Sequence, residues 1–170
     1  MATTPVYRLD TSLWLPRPRP AVFEFFANAA NLERITPPFL AFRILTPVPV
    51  AMAAGARIDY RIGLRGLPMT WQSEITVWDP PRRFVDAQLR GPYRLWEHTH
   101  TFEDRDDGTM VVDSVRYALP GPAFASAIVN RLIVARDLTR IFEYRHHALE
   151  DAFSVRGQTR SGPVLINAES

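Results

Sequence analysis

From Arg57 to Leu119 apolar and polar residues alternate with a period of two, over one segment after another. That period belongs to strands, because successive side chains of an extended backbone point to opposite faces. Ile58, Tyr60, Ile62 and Leu64 share one face, and Arg57, Asp59, Arg61 and Arg65 share the other. Met69 to Trp78 repeats the pattern with Met69, Trp71, Ser73, Ile75 and Val77 inward, which puts Trp78 outside. Asp79-Pro80-Pro81 turns the chain into Phe84–Arg90, and Gly91-Pro92 turns it again toward Phe102. Asp107-Gly108 is a two-residue hairpin signal leading into Met110–Leu119. Consecutive strands joined by short turns make an antiparallel meander, and its single apolar face needs a cover.

The cover follows at once. Pro120-Gly121-Pro122 stops the strands, and no Gly or Pro occurs from Ala123 to Phe153, which predicts one long helix. Ile128, Leu132, Ala135, Leu138, Phe142, Leu149 and Phe153 fall at helical spacing as its expected apolar stripe. Ahead of the meander, Val6–Leu15 reads as a strand with Tyr7, Leu9, Leu13 and Leu15 on one face. By the same parity Trp14 faces outward. Two short helices follow, Ala21–Ala27 after Pro20 and Asn28–Ile35 before Pro37, and then a strand within Phe39–Leu45. Residues 1–153 are expected as one domain and 154–170 as a flexible tail or strand-edge extension.

Composition removes several function classes. With 170 residues and 46% hydrophobic content, the chain buries a full core. It has no cysteine, which excludes disulfides and thiolate metal sites and fits a cytoplasmic setting. Met1–Pro5 lacks the basic and apolar regions of a leader, and no apolar run is long enough for an integral membrane segment. All 20 basic residues are arginine, but they are scattered among acids and the net charge is only +2, so no nucleic acid is expected as a partner. There is no glycine-rich phosphate loop and no Gly-x-Ser-x-Gly elbow.

The chemistry concentrates in Trp96-Glu97-His98-Thr99-His100-Thr101-Phe102. Its apolar-facing positions carry Trp96, His98, His100 and Phe102, and two imidazoles on such a face are unusual for plain core. If the Gly91 loop has three residues, Asp86 lies opposite His98 and Gln88 opposite Trp96. If Asp107-Gly108 forms the next turn, His98 lies opposite Tyr117 and Phe102 opposite Asp113. If Gly66-Leu67 forms the first turn, Tyr60 pairs with Ser73 and Ile62 with Trp71. These registers give a row Asp86–His98–Tyr117 and a neighbouring diagonal His100–Asp113. A carboxylate beside an imidazole can fix its tautomer for acid/base work, or simply satisfy a buried polar group. Arg145 is expected to make an ion pair. The His98-x-His100 pair has the spacing of a cupin ligand pair. Glu103, however, has the wrong parity and no later strand histidine follows, so no metal ligand and no cofactor is assigned.

The element order, together with Pro20-Ala21-Val22-Phe23-Glu24-Phe25-Phe26, Asn31-Leu32-Glu33, Thr36-Pro37, Gly91-Pro92-Tyr93, Trp96-x-His98-x-His100-x-Phe102 and Arg116-Tyr117-x-Leu119-Pro120, resembles the START-like helix-grip superfamily. This superfamily includes polyketide cyclases/dehydrases, lipid-transfer domains and the birch-pollen allergen type. The Gly-Pro-Tyr block is similar to a bacterial subgroup labelled cell-division-inhibitor-like. The resemblance implies an α+β helix-grip fold. In it, a curved antiparallel sheet of about six to seven strands wraps the long C-terminal helix, with two short helices after the first strand. It also implies an apolar cavity between sheet and helix for a lipid, quinone or polyketide-like molecule. The expected ligand-binding residues are Tyr60, Trp71, Asp86, Gln88, Trp96, His98, His100, Phe102, Asp113, Tyr117 and Phe142. Binding or transport of a hydrophobic small molecule is the preferred reading, with no catalytic residue assigned. The alternatives are a cyclase/dehydratase using His98 with Asp86, and a partner-regulated interaction protein with a vestigial cavity, which closure by packing of Trp71 and Trp96 would favour. Oligomeric state is not legible.

Overall fold

Alternation along residues 57–119 becomes five consecutive antiparallel strands in the computed structural model, which describes residues 4–169. Met1–Thr3, part of the stretch weighed above as a leader, lie outside the described residues. The elements are β1 (Tyr7–Leu15), α1 (Arg19–Ala27), 3-10 turns at Ala29–Ile35 and Pro38–Leu40, and β2 (Arg43–Ile44). The meander is β3 (Arg57–Leu64), β4 (Leu67–Asp79), β5 (Arg83–Arg90), β6 (Leu95–Arg105) and β7 (Gly108–Ala118). After it come α2 (Ala123–Val129), a π turn (Asn130–Val134), α3 (Ala135–Ala152), β8 (Arg160–Ser161) and β9 (Leu165–Ala168). The nine strands of the described residues form one sheet in the order β2-β3-β4-β5-β6-β7-β1-β8, with β9 also pairing β1. The fold is α+β, an antiparallel curved sheet with a long C-terminal helix, as expected.

Both hairpin turns fall one residue earlier than expected. Arg65 and Gly66 close β3–β4, and Asp106 and Asp107 close β6–β7, all four at positive φ. Positive φ at both turn positions matches the right-handed twist of flanking strands, and Asp tolerates it. Gly108 has another duty. A Cβ there would meet the Leu15 carbonyl and lie 2.7 Å from the Trp14 ring. One residue at a turn moves the register by two, so the faces survive while the partners change. Tyr60 pairs with Trp71, His98 with Val115, His100 with Asp113, Phe102 with Val111 and Trp96 with Tyr117. The Asp86–His98 register is as expected, but its ladder ends at Ala87 and Glu97, short of Gln88–Trp96.

A bulge in β4 between Ile75 and Val77 re-aims the end of that strand. Trp78 therefore pairs with Phe84 and packs on Phe23 at 5.3 Å, inside rather than outside. Trp14 stays on the outer face, covered by Arg160.

The long helix is continuous but changes phase at the π turn. Leu138, Phe142 and Leu149 are buried as expected, whereas Ile128 and Leu132 are 56% and 61% exposed. A π turn advances the chain without completing an α-helical repeat, so one stripe cannot run through it. Asn130, inside that turn, is buried instead and accepts the Tyr117 hydroxyl at 2.8 Å. Residues 154–169 form the strand-edge extension and not a flexible tail. Within it β8 and β9 pair with β1, and Val155 is fully buried. None of the described helices is long and apolar enough to cross a membrane.

Candidate functional site

Between the sheet and α3 lies a cavity of about 190 Å³. Its walls are set by strand alternation. Ile58, Tyr60 and Ile62 come from β3, Trp71, Ser73 and Ile75 from β4, and Phe84 and Asp86 from β5. Trp96, His98 and His100 come from β6, and Leu138, Ile141, Phe142 and Arg145 follow one another around α3 at helical spacing. Trp71 donates from its indole nitrogen to Ser73 Oγ (3.1 Å), and the Tyr60 hydroxyl lies 3.2 Å from the same oxygen. These two polar aromatics are therefore satisfied sideways and present their ring faces to the cavity. Burial, helped by Asp86, pushes the Tyr60 phenol well above its ordinary range and keeps it neutral.

One region of this wall is ionisable. His98 and His100 project from the same strand face with ring centroids 3.8 Å apart, each more than nine-tenths buried. His98 Nε2 is 2.8 Å from Asp113 Oδ1, and His100 Nε2 is 3.2 Å from Asp86 Oδ2. His98 Nδ1 lies 3.8 Å from that same Asp86 oxygen. His100 Nδ1 is 2.8 Å from Asp113 Oδ1 but poorly aligned for a hydrogen bond, and it has no other partner among the described residues. Arg145 Nε approaches Asp113 Oδ2 at 3.9 Å, and its guanidinium lies over the Phe26 and Phe142 rings. The register sets Asp86 opposite His98, yet the side chains cross, so that Asp86 bonds His100 while Asp113 bonds His98.

Burial alone would discharge all four groups, but their neighbours decide otherwise. Burial, and then the proximity of His100, push His98 down to about 4, so it is neutral at pH 7. For His100 the carboxylates of Asp113 and Asp86 outweigh burial and raise it. Against burial, Arg145 and the two imidazoles hold Asp113 well below the usual carboxylate range, and the imidazoles and Arg145 lower Asp86. The cluster thus sets two carboxylates against the Arg145 guanidinium and against His100, whose protonated form they favour.

Of the residues expected to contact a ligand, Tyr60, Trp71, Asp86, Trp96, His98, His100 and Phe142 line the cavity. Four do not. Gln88 folds back on its own turn, donating to the Tyr93 carbonyl at 2.7 Å. Phe102 is packed into the core against Phe23 and Phe26. Tyr117 is turned to Asn130, and Asp113 sits behind the two imidazoles. Sequence reasoning missed Phe42, Tyr93, Ile141 and the Asn28–Leu40 wall. Most of these lie in 3-10 turns and irregular segments, where no period marks a face. Arg145, expected as an ion pair, makes a long one to Asp113 and also lines the cavity.

Known structures share this architecture. TTHA0849 from Thermus thermophilus superposes with a TM-score of 0.64 at 21% identity, covering 88% of this chain and 99% of its own. Ginseng major latex-like protein 151 from Panax ginseng gives 0.60 at 12% identity, over 87% and 97%. The di-domain ARO/CYC StfQ from the steffimycin biosynthetic pathway gives 0.62 at 12% identity, over 89% of this chain and 53% of that one. At such identities the likeness concerns the fold, and the narrower cell-division-inhibitor-like resemblance gains nothing from it. No curated protein matches the sequence. The family described as "Polyketide cyclase / dehydrase and lipid transport" matches residues 15–142, most of the domain that builds the cavity, and the chain belongs to that family.

Proposed function

We propose that the protein binds a hydrophobic small molecule in the cavity between sheet and α3, with Asp86, His98 and His100 as its polar contacts. One observation carries this reading: an otherwise apolar, aromatic-lined cavity has its ionisable groups gathered at one place in the wall. An apolar cavity of ~150 Å³ already accepts benzene, so the space suffices for a ring-sized body. Trp71 and Trp96 pack edge-to-face at 5.3 Å but both still line open volume, so they do not close the cavity. Native mass spectrometry of the purified protein, followed by organic extraction, is the test. The expected result is a co-purifying apolar molecule released on denaturation. A chain that purifies empty and takes up no apolar probe contradicts the reading.

A second reading, cyclase or dehydratase chemistry, is favoured by the Asp86 oxygen facing one nitrogen of each imidazole. It is supported by the family's description and by the ARO/CYC name of one structural neighbour. Here His98, backed by Asp113, removes a proton next to a substrate carbonyl, and the Asp86–His100 pair carries a proton to the departing or enolising oxygen. Substitution of His98 by Gln separates the readings. Turnover lost with binding kept identifies an enzyme, whereas unchanged turnover removes His98 from the chemistry.

A further inference from the structure

The two imidazoles stand side by side between two carboxylates. Each has one ring nitrogen 2.8 Å from the same oxygen of Asp113, His98 Nε2 hydrogen-bonded to it and His100 Nδ1 facing it out of line. Their remaining nitrogens, His98 Nδ1 and His100 Nε2, both face Asp86 Oδ2, at 3.8 and 3.2 Å. Two nitrogens and one carboxylate oxygen therefore converge, within 4.8 Å of one another. The Asp113 carboxylate lies behind both rings and orients His98 by a hydrogen bond.

That is the layering of a metal centre, in which a ligating imidazole gives its other nitrogen to an outer carboxylate. Here the outer carboxylate, Asp113, has a counter-charge in Arg145, so it does not need the cation for itself. Tetrahedral bonds of ~2.1 Å separate ligand atoms by ~3.4 Å. The observed separations bracket that value, and small rotations about χ2 would equalise them. Strand spacing alone points the wrong way here. It directs the search for a third ligand along the same strand, to Glu103, whereas the carboxylate comes from β5, directly opposite His98.

We infer that His98 Nδ1, His100 Nε2 and Asp86 Oδ2 form a site for one first-row divalent cation, with its remaining coordination positions open to the cavity. Two imidazoles and one carboxylate suit zinc, cobalt, nickel or iron rather than calcium or magnesium, which prefer all-oxygen shells. Such a cation would polarise a carbonyl or hydroxyl oxygen of a molecule in the cavity. The inference rests on the side-chain cluster and not on which organic molecule the cavity takes, so the two stand or fall separately.

The test titrates chelator-treated protein with Zn²⁺ and with Co²⁺, followed by calorimetry and by visible absorption for cobalt. The wild type is expected to bind one equivalent and to develop cobalt d–d bands. Asp86→Asn and His98→Gln are expected to lose this binding, and Asp113→Asn to weaken it by about 10–100-fold. His147→Gln serves as the control for surface binding, since His147 is exposed and pairs with Glu150. It is expected to bind as the wild type does. Because the buried variants can fail to fold, long-range ¹⁵N spectra of the wild-type imidazoles provide a readout without mutation. Zinc is expected to shift His98 Nδ1 and His100 Nε2. Absence of saturable binding, binding that survives in Asp86→Asn but is lost in His147→Gln, or zinc shifts confined to His146 and His147, would each overturn the site. Uptake of an apolar fluorescent probe by the metal-free protein is measured alongside, and it reports on the cavity whatever the metal result.

Discussion

Asp113→Asn removes a charge and almost no volume, so its effect isolates electrostatics. The side chain is only 4% exposed, and it touches His98, His100 and Arg145. Without it the Arg145 guanidinium, itself 11% exposed, stays buried facing two imidazoles, with Asp86 the remaining carboxylate of the cluster. Breaking a buried charge pair from one side costs about 3–5 kcal/mol, because the other charge is left uncompensated. In a domain of this size each kcal/mol moves Tm by roughly 2–4 °C, which places the loss at roughly 6–20 °C. Thermal unfolding at pH 7, followed by far-UV circular dichroism and calorimetry, measures it. Asp151→Asn, which removes a carboxylate from an exposed pair with Arg156, is expected to melt with the wild type. An Asp113→Asn protein melting within about 2 °C of the wild type would show that the cluster is not held by charge compensation.

Other expectations follow from the same geometry. Leu138→Ala should cost about 2–5 kcal/mol, but Leu132→Ser less than about 0.5, because the π turn takes Leu132 out of the core. Similar losses for both in urea titrations would contradict that phase change. Gly108→Ala should lose roughly 1–3 kcal/mol by forcing a methyl against Trp14 and the Leu15 carbonyl, and a neutral result by the same assay would count against that close approach. His146 lies 3.4 Å from Thr11 Oγ1, with Asp113, Arg145, His147 and Glu150 around it, and burial lowers its pKa. The folded state then binds fewer protons than the unfolded chain. The stability His146 supports is therefore full above an unfolded pKa of about 6.5 and is lost as pH falls through that value toward the lower folded one. His146→Gln should flatten the pH dependence of the urea midpoint over this window, and an unchanged slope would contradict the assignment.

How much of this was legible depends on what kind of signal each element leaves. The faces of β3, β6 and β7 are readable because their side chains alternate without interruption, and Asp86 comes opposite His98 as expected although the ladder opens beyond Ala87 and Glu97. Partners across the other two hairpins differ by two positions from those expected. Glycine suggests Gly66-Leu67 and Asp107-Gly108 as the turn pairs, while the chain places Arg65-Gly66 and Asp106-Asp107 there. The difference preserves parity and so does not expel any inward residue. Trp78 shows what parity cannot survive: one bulge, with no residue type that announces it, reverses its face. Leu132 and Ile128 leave the expected stripe for the analogous reason in a helix. The crossed pairing of Asp86 with His100 and Asp113 with His98 is beyond reach of the sequence, because it is decided by side-chain rotation and not by register.

Most depends on whether the space between sheet and α3 takes up an apolar molecule. Titration of the purified protein with the fluorescent probe 1-anilinonaphthalene-8-sulfonate addresses this directly, read by probe emission and by quenching of Trp71 and Trp96 at the cavity wall. Ile141→Trp, which projects a larger ring from α3 into the same volume, supplies the blocked comparison. The expected result is one saturable site in the wild type that is lost in Ile141→Trp while its unfolding transition remains cooperative. A wild type that binds no probe, or a blocked variant that binds it equally well, would contradict the cavity as the binding site.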